Sequence, residues 1–192
     1  MPRRREYDET EVLNSAMRVF WEHGYRASTR QLADAMGINQ FSVYASFKSK
    51  AGLFGRALEQ YVDQIEASLL VPLLSEQAAM PELRQFLESF VNTKHLDYPN
   101  GCLICNTMIE QSAHAAPIRS AIERYRALIT RAFLRVLTNA FPGMPESVVH
   151  ARCEFLFGAL LGLFVQKRMG AEGPPVQILV DEIMSAIERD YE

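Results

Sequence analysis

The amino-acid sequence predicts an all-α protein of about nine helices. Apolar residues recur every three or four positions along almost the whole chain, as they do on one face of a helix, and no segment alternates convincingly at a period of two. Glycines and prolines separate these periodic stretches, at the places where helices end. With 192 residues, 48% of them hydrophobic, the chain is long enough to bury a substantial core.

The first two predicted helices are marked by their ends. The first stops at Gly24, and its apolar face consists of Val12, Leu13, Ala16, Met17 and Phe20. Ser28 or Thr29 can cap the N-terminus of a second, short helix. That helix runs through Met36, and Gly37 follows it as a C-terminal glycine.

Two further helices have N-caps of the same kind. Asn39 can cap a third helix over residues 40–47, and Ser49 can cap a long fourth helix that stops at Pro72. Five more helices follow, separated by breaks at Pro81, 98–101, Pro117, 141–145 and 173–175. We expect residues 1–50 to form one small helical domain and residues 51–192 to form a larger bundle.

The third helix is unusually aromatic for its length. In "GINQFSVYASFKSK", residues 37–50, Val43 and Phe47 can both point into a core because they lie one turn apart. An isolated helix of eight residues is not stable in water, so this one must pack on the helices before it. Two short helices joined at a glycine are typical of a helix-turn-helix, whose second helix enters the DNA major groove. The alternative is that the aromatics are ordinary core residues.

If the third helix does enter a groove, its outward residues suit DNA. A glutamine can pair bidentately with adenine, and an aromatic or small side chain can contact the thymine methyl group. Hydroxyl groups and lysines suit phosphates, which fix the register of the protein on DNA but carry no sequence information. The outward residues are Gln40, Phe41, Ser42, Tyr44 and Ala45.

Residues 12–54 resemble the DNA-binding domain of the TetR family of one-component transcriptional regulators. The matching residues are Ala16, Phe20, Gly24, Tyr25, Ser28, Thr29, Leu32, Ala33, Gly37, Ile38, Tyr44, Phe47, Lys50, Leu53 and Phe54. The resemblance implies an all-α homodimer that binds a double-stranded operator, carries a C-terminal effector-binding domain and needs no cofactor. By position it implies phosphate contacts from Thr29, Tyr44 and Lys50, and an approach to bases by Arg30, Gln40, Phe41 and Ser42.

Two positions depart from the family pattern. Ser46 stands where the family often has histidine, and bulky Phe41 stands where a small residue or proline is frequent. Neither change disturbs the docking that the resemblance implies. An operator sequence therefore does not carry over with the resemblance.

The C-terminal half holds candidates for an effector site. The segment "GCLICNTMIEQ", residues 101–111, resembles a segment at the start of the effector domain in one broad group of these regulators. Aromatic and soft apolar side chains with a few polar atoms are the usual lining for a small, mostly apolar ligand. The candidates are Tyr61, Phe86, Phe90, Cys102, Asn106, Met108 and Tyr125. We expect about half of them to be plain core residues.

The last two predicted helices, residues 146–170 and 175–191, pair with their symmetry mates in the family. Two glycines one turn apart on an apolar helix allow another helix to approach closely, although each costs about 1 kcal/mol of helix propensity. The predicted interface consists of Gly158, Leu161, Gly162, Val165, Ile183 and Ile187. The alternative is that this apolar helix is buried within its own subunit.

The three cysteines leave other chemistry open. Cys102 and Cys105 form a C-x-x-C, and His150 and Cys153 form an H-x-x-C, a set that would suit tetrahedral zinc if the two pairs met. Nothing in the sequence brings them together, and we expect no metal. Cys102 begins a helix, where the dipole can lower the pKa of a thiol, so a thiol-based sensor stays open. An enzyme with Cys102 or Cys105 as nucleophile and a histidine as base lacks any supporting motif.

Charge, cysteine content and hydropathy indicate the cellular compartment of the protein. The net charge is −3, whereas the first 50 residues carry eight basic and six acidic side chains. No apolar segment follows the basic N-terminus as in a signal peptide, and three cysteines without one indicate a reducing, cytoplasmic setting. The longest apolar run, Phe155–Val165, is too short for a bilayer. The sequence favours a ligand-responsive repressor over a purely architectural DNA-binding protein.

Overall fold

The computed structural model describes residues 8–91, 101–110 and 115–189, and every regular element in these ranges is helical. The ten α-helices are α1 (Glu9–His23), α2 (Thr29–Met36), α3 (Gln40–Phe47), α4 (Lys50–Ala67), α5 (Val71–Leu74), α6 (Met80–Glu88), α7 (Leu103–Glu110), α8 (Ala116–Ala140), α9 (Glu146–Arg168) and α10 (Pro174–Glu188). The predicted all-α class is confirmed. The described residues contain one helix more than the predicted nine. The additional helix is α5, a single turn of four residues that is too short to show a periodic pattern in the sequence.

Helices α1 to α3 lie within residues 1–50, and α2 packs on both α1 and α3. Ser28 and Gln31 make a reciprocal capping box that fixes the start of α2. Gly37 ends α2 in the left-handed region, with φ 65° and ψ 22°, where a side chain would be strained. The Asn39 side chain accepts a hydrogen bond from the Ser42 N–H at 2.8 Å and so fixes the start of α3. These three of the predicted caps are therefore present.

Helix α4 connects the two halves of the protein. Its N-cap is Ser49, whose hydroxyl accepts from the Gly52 N–H at 2.9 Å, and the helix packs on α1, α3 and α8. The helix ends at Ala67 and does not reach Pro72. The Leu70 N–H donates to the Ile65 carbonyl at 3.0 Å and closes the helix. Pro72 instead stands in the first turn of α5, where its missing N–H costs nothing.

The C-terminal bundle is built around α8. This helix packs on α4, α5, α6 and α9, and α10 packs on α9 and α6. Proline starts both α8 and α10, in the first turn of each. The predicted helix over 175–191 therefore begins slightly earlier, at Pro174, and ends at Glu188.

Helix α9 is both long and rich in apolar residues. By length and composition it is the one helix, among those described, that could span a membrane. Buried helices of water-soluble proteins pass the same test, so these two properties do not identify a span. Its buried side lies against α8 and α10, and its other side is exposed.

The contact between α4 and α8 combines close packing with ion pairs. Arg124 of α8 donates to the carboxylates of Glu59, Asp63 and Glu66 of α4, at 2.8, 2.6 and 3.3 Å. The hydrogen bonds that the Arg124 guanidinium donates to Glu59 and Asp63 raise its pKa. These side chains are partly exposed, so solvent screens the pairs and each contributes modestly.

Candidate functional site

The surface of α3 carries the side chains that the sequence predicts to face outward. Val43 and Phe47 are buried, as predicted. On the other side Phe41 is 83% exposed and Tyr44 is 48% exposed. Gln40 and Ala45 are exposed as well, and Ser42 is half-buried. An eight-residue helix thus presents two aromatic rings to water. We call this outward set, Gln40, Phe41, Ser42, Tyr44 and Ala45, the α3 face.

Helix α2 supports the α3 face from one side. The hydroxyl groups of Thr29 and Tyr44 lie 3.2 Å apart and share a hydrogen bond, which orients the tyrosine. Arg30 is exposed and lies 3.8 Å from Asp34, one turn along the same helix. Such an exposed pair is weak, so Arg30 can leave it for another partner.

Lys50 adds a positive charge at the start of α4. Its ammonium group lies 4.6 Å from the centre of the Tyr25 ring. Partial burial lowers the pKa of Lys50, and the nearby Tyr44 raises it. The Tyr25 ring in turn stacks on Phe54, with ring centres 5.7 Å apart. The sequence did not single out Tyr25 as a support for Lys50, because no spacing rule joins the two residues.

The α3 face and its surroundings can bind a DNA groove. Glutamine and aromatic side chains on a short helix can reach base edges, while hydroxyl groups and a lysine beside them can bind phosphates. Lys50 is also the first residue of α4, where the free N–H groups and the helix dipole favour an anion. The geometry therefore suits a helix-turn-helix that docks in a major groove.

Three of the predicted effector residues meet in the core beneath α4. The Tyr61 hydroxyl donates to the Cys102 sulfur at 3.4 Å, and the Cys102 thiol donates to the Tyr125 hydroxyl at 3.8 Å. All three side chains are buried. Burial raises the pKa of Cys102, and hydrogen bonds from Tyr61 and from the backbone offset only part of this effect. The expectation that the helix start lowers this pKa is therefore wrong.

The other predicted effector residues lie elsewhere. Phe86 and Phe90 make an edge-to-face contact at 5.2 Å and pack against Phe133 and Phe164, respectively. Met108 and Asn106 on α7 are half-buried. The predicted set thus divides into a hydrogen-bonded trio, an aromatic group and two residues of α7.

Helix α7 also touches the N-terminal unit. The Glu110 carboxylate, at the end of α7, accepts a hydrogen bond from the Tyr25 N–H at 3.4 Å. A polar cleft of about 430 Å³ adjoins this contact and is lined by Glu22, His23, Arg26, Ala27, Gln31, Glu110 and Arg168. No local sequence pattern predicts this contact, because the two residues are 85 positions apart. It joins the effector candidates of α7 to the ring beneath Lys50.

The outer side of α9 is apolar and open. A Cβ added at Gly158 or Gly162 would meet no other atom of the described chain within 4 Å. Leu161 is half-buried, and Val165 is exposed beside them. Phe155 and Met169 extend the same exposed side towards both ends of the helix. We call Phe155, Gly158, Leu161, Gly162, Val165 and Met169 the α9 face.

The α10 part of the predicted interface needs correction. Ile183 and Ile187 are only 3% and 0% exposed within the single chain. A side chain buried in its own subunit is not available to a partner, so these two residues belong to the core. The exposed apolar residue of α10 is Ile178.

The thiols do not gather into a metal site in the part of the chain that is described. No group of three or more metal-ligating side chains lies together there. His150 is exposed and faces Glu146 at 3.6 Å, while Cys153 is buried. Burial raises the pKa of Cys105 to about 12 and that of Cys153 to about 11.

Comparison with known proteins places these features in a wider group. Residues 12–57 match the model of the family described as bacterial regulatory proteins, tetR family. The HTH-type transcriptional repressor ComR of Escherichia coli (strain K12) is 28% identical over 177 residues, 88% of this chain and 83% of ComR. The uncharacterized HTH-type transcriptional regulator YezE of Bacillus subtilis (strain 168) is 26% identical over 194 residues, 98% of this chain and 100% of YezE.

A solved structure shares the whole architecture. It contains a cysteine mutant of the TetR family transcriptional regulator CifR in complex with a 26-base-pair double-stranded operator. The two chains are 28% identical and superpose with a TM-score of 0.82, over 96% of this chain and 99% of that one. The likeness therefore extends from the helix-turn-helix through the C-terminal bundle.

Proposed function

Because the chain belongs to the TetR family of transcriptional regulators, we propose that it is a repressor that a small-molecule effector releases from a palindromic operator. The observation that carries this proposal is the α3 face, with Phe41 exposed to water while Val43 and Phe47 hold the helix in place. Its relative ComR is a repressor, and CifR forms a complex with operator DNA. We place the protein in the cytoplasm, where operator DNA is found.

The DNA contacts divide into two kinds. Thr29, Tyr44 and Lys50 bind phosphates and fix the register, because they are hydroxyl and ammonium groups at the edges of the α3 face. The side chains that approach base edges are Arg30, Gln40, Phe41 and Ser42. Residues 1–50 thus serve DNA binding, and residues 51–192 serve effector binding and dimerisation.

The operator is bound by a homodimer. The α9 face is an apolar surface with two glycines that let a second helix approach closely, and Ile178 lies exposed on the neighbouring α10. A two-fold symmetric pair of α9 helices buries this surface and places two α3 helices for successive major grooves, roughly 34–36 Å apart. Two-fold symmetry of the protein then requires a palindromic operator.

The effector acts through α4 and α7. Tyr61 on α4 is hydrogen-bonded to Cys102 at the start of α7, and the end of α7 contacts the Tyr25 backbone through Glu110. A ligand that separates α4 from α7 moves Tyr25, which lies beneath Lys50, and moves α4, on which α3 packs. A hundredfold preference for the form that does not bind DNA shifts the equilibrium by about 2.7 kcal/mol.

Operator release tests this function directly. The measurement is the affinity of the full chain for its operator, by fluorescence anisotropy, with and without candidate small molecules. We expect at least one compound to weaken binding by roughly tenfold or more. A protein that binds its operator with the same affinity in every compound, and whose C-terminal interior proves filled with side chains, would instead be a constitutive DNA-binding protein.

A further inference from the structure

Helix α9 carries a lysine on its buried side. Lys167 is only 2% exposed, and it lies one turn beyond Leu163 and Phe164 on the stripe that packs into the core. Its ammonium nitrogen is fully buried and has no hydrogen-bond partner among the described residues. Burial lowers the pKa of Lys167, and Glu172 raises it. Burying an ammonium group without a hydrogen-bond partner costs several kcal/mol, and Glu172 makes no hydrogen bond to Lys167 that would offset this cost.

A second unpaired donor lies beside the same turn of α9. The Nδ2 atom of Asn106 on α7 is buried and also lacks a partner within the described ranges. Gly101 shows how close the two elements are. A Cβ added there would lie 3.3 Å from the Phe164 carbonyl oxygen, 3.4 Å from the Arg168 Cβ and 3.5 Å from the Asn106 Oδ1. The Asn106 amide therefore adjoins the turn of α9 that contains Lys167.

The two groups need the same kind of partner. The Lys167 ammonium and the Asn106 amide nitrogen both only donate hydrogen bonds, so these two nitrogen atoms cannot satisfy each other. The missing group is an acceptor, and an anionic acceptor also compensates the buried charge. Cys105, next to Asn106, lies 4.0 Å from the Leu161 carbonyl, so α7 and α9 are in contact on this side.

We propose that Lys167 and Asn106 form the polar end of the effector site and that the effector is a small molecule with a carboxylate group. This inference rests on the proposed function and specifies the chemistry of its ligand. The carboxylate accepts from the Lys167 ammonium and from the Asn106 amide, while the apolar part of the ligand lies among the aromatic residues. One such aromatic pair is Phe90 and Phe164, whose ring centres lie 5.1 Å apart, and Phe164 precedes Lys167 by one helical turn.

The test measures the melting temperature (Tm) of the full chain without DNA. The probes are hexanoate, benzoate and phenylacetate, each compared with its own primary amide at equal concentration and ionic strength. The variants are Lys167→Met and Asn106→Leu, and Lys48→Met serves as a control for the loss of an exposed lysine. We expect the carboxylates to raise the Tm of the wild type more than the amides do. Both site variants should lose this difference, and the control should keep it.

The ligand-free proteins supply an independent readout. Methionine fills the volume of lysine without an unpaired charge, so Lys167→Met should raise the Tm by about 2–4 °C. A lower Tm in this variant would mean that Lys167 has a stabilising partner elsewhere in the chain, and it would overturn the inference. Equal effects of carboxylates and amides on the wild type would overturn it as well. Operator binding by the wild type, measured separately, tests the proposed function and does not depend on either result.

Discussion

Gly55 of α4 lies directly against Pro117 of α8. A Cβ at residue 55 would come within 2.6 Å of the Pro117 Cβ and 2.9 Å of its carbonyl carbon. Backbone atoms cannot move aside as a flexible side chain can, so this contact fixes the distance between the two helices. Gly55 lies five residues after Lys50, so movement of α8 relative to α4 at this contact would reach the DNA-binding unit.

Gly55→Ala should therefore separate α4 from α8. We expect a loss of about 1–3 kcal/mol in the free energy of unfolding, as for other overpacked contacts. Because α4 supports α3, operator affinity should fall as well. Urea denaturation and anisotropy measure the two effects. Gly143→Ala is the matched control, since a Cβ at that position has open space, and it should change neither quantity. If Gly55→Ala changes neither the free energy of unfolding nor the operator affinity, then the distance between α4 and α8 does not control stability or DNA binding.

The phosphate-binding group should affect all DNA sequences equally. Lys50→Ala removes one cation near phosphate, so the slope of log affinity against log salt should become shallower by about one unit. Tyr44→Phe removes the hydroxyl that is shared with Thr29 and should weaken binding to operator and to random DNA alike. Lys48→Ala changes the charge at a residue outside the predicted contacts and serves as the comparison. A salt slope that Lys50→Ala leaves unchanged would exclude a phosphate contact.

The α9 face should control the oligomeric state. Replacing Gly158 and Gly162 with leucine fills the space that a second helix needs, so we expect monomers that bind the operator weakly. Gly143→Leu, which also has open space around it, should stay dimeric. Light scattering coupled to size-exclusion chromatography gives the masses. Dimers in the double variant would place the interface on another surface.

The three thiols should react slowly in the folded protein. With a pKa of about 12, Cys105 carries about one thiolate in ten thousand at pH 8, and burial also raises the pKa of Cys102. Labelling by iodoacetamide should therefore rise about tenfold per pH unit from pH 8 to pH 10, without a plateau near 8.5. Protein unfolded in urea is the control for a free thiol. Fast native labelling at pH 7 that disappears in Cys102→Ser would restore the thiol-sensor alternative.

The helices and the α3 face could be predicted because their signals are local. Ser28, Asn39 and Ser49 cap their helices within three residues, and the spacing of Val43 and Phe47 fixes which side of α3 is buried. These features depend on neighbours in the sequence. The same local rules misread Pro72, because proline both stops a helix and starts one.

The long-range contacts could not be predicted in this way. The Tyr25 ring lies beneath the Lys50 ammonium, and the Tyr25 N–H donates to the Glu110 carboxylate. Both contacts form only after the chain has folded. Ile183 and Ile187 satisfy the periodicity of an interface and of a core equally well, and only packing decides between them. Lys167 continues the apolar spacing of α9, which is a local indication that it is buried. A lysine at such a position can equally extend to solvent, so the sequence alone does not decide between the two.

Selection of binding sites from randomised DNA by Gln40→Ala and Arg30→Ala tests whether the α3 face and Arg30 read the operator sequence. Operator sites selected by the wild type should form a palindrome, and each variant should lose preference at particular base pairs by about 1–3 kcal/mol while it keeps its affinity for random DNA. Ser120→Ala, an exposed substitution on α8, should leave the selected sequence unchanged. If Gln40→Ala selects the same palindrome as the wild type, with the same preference at every base pair, then Gln40 on α3 does not read the operator sequence.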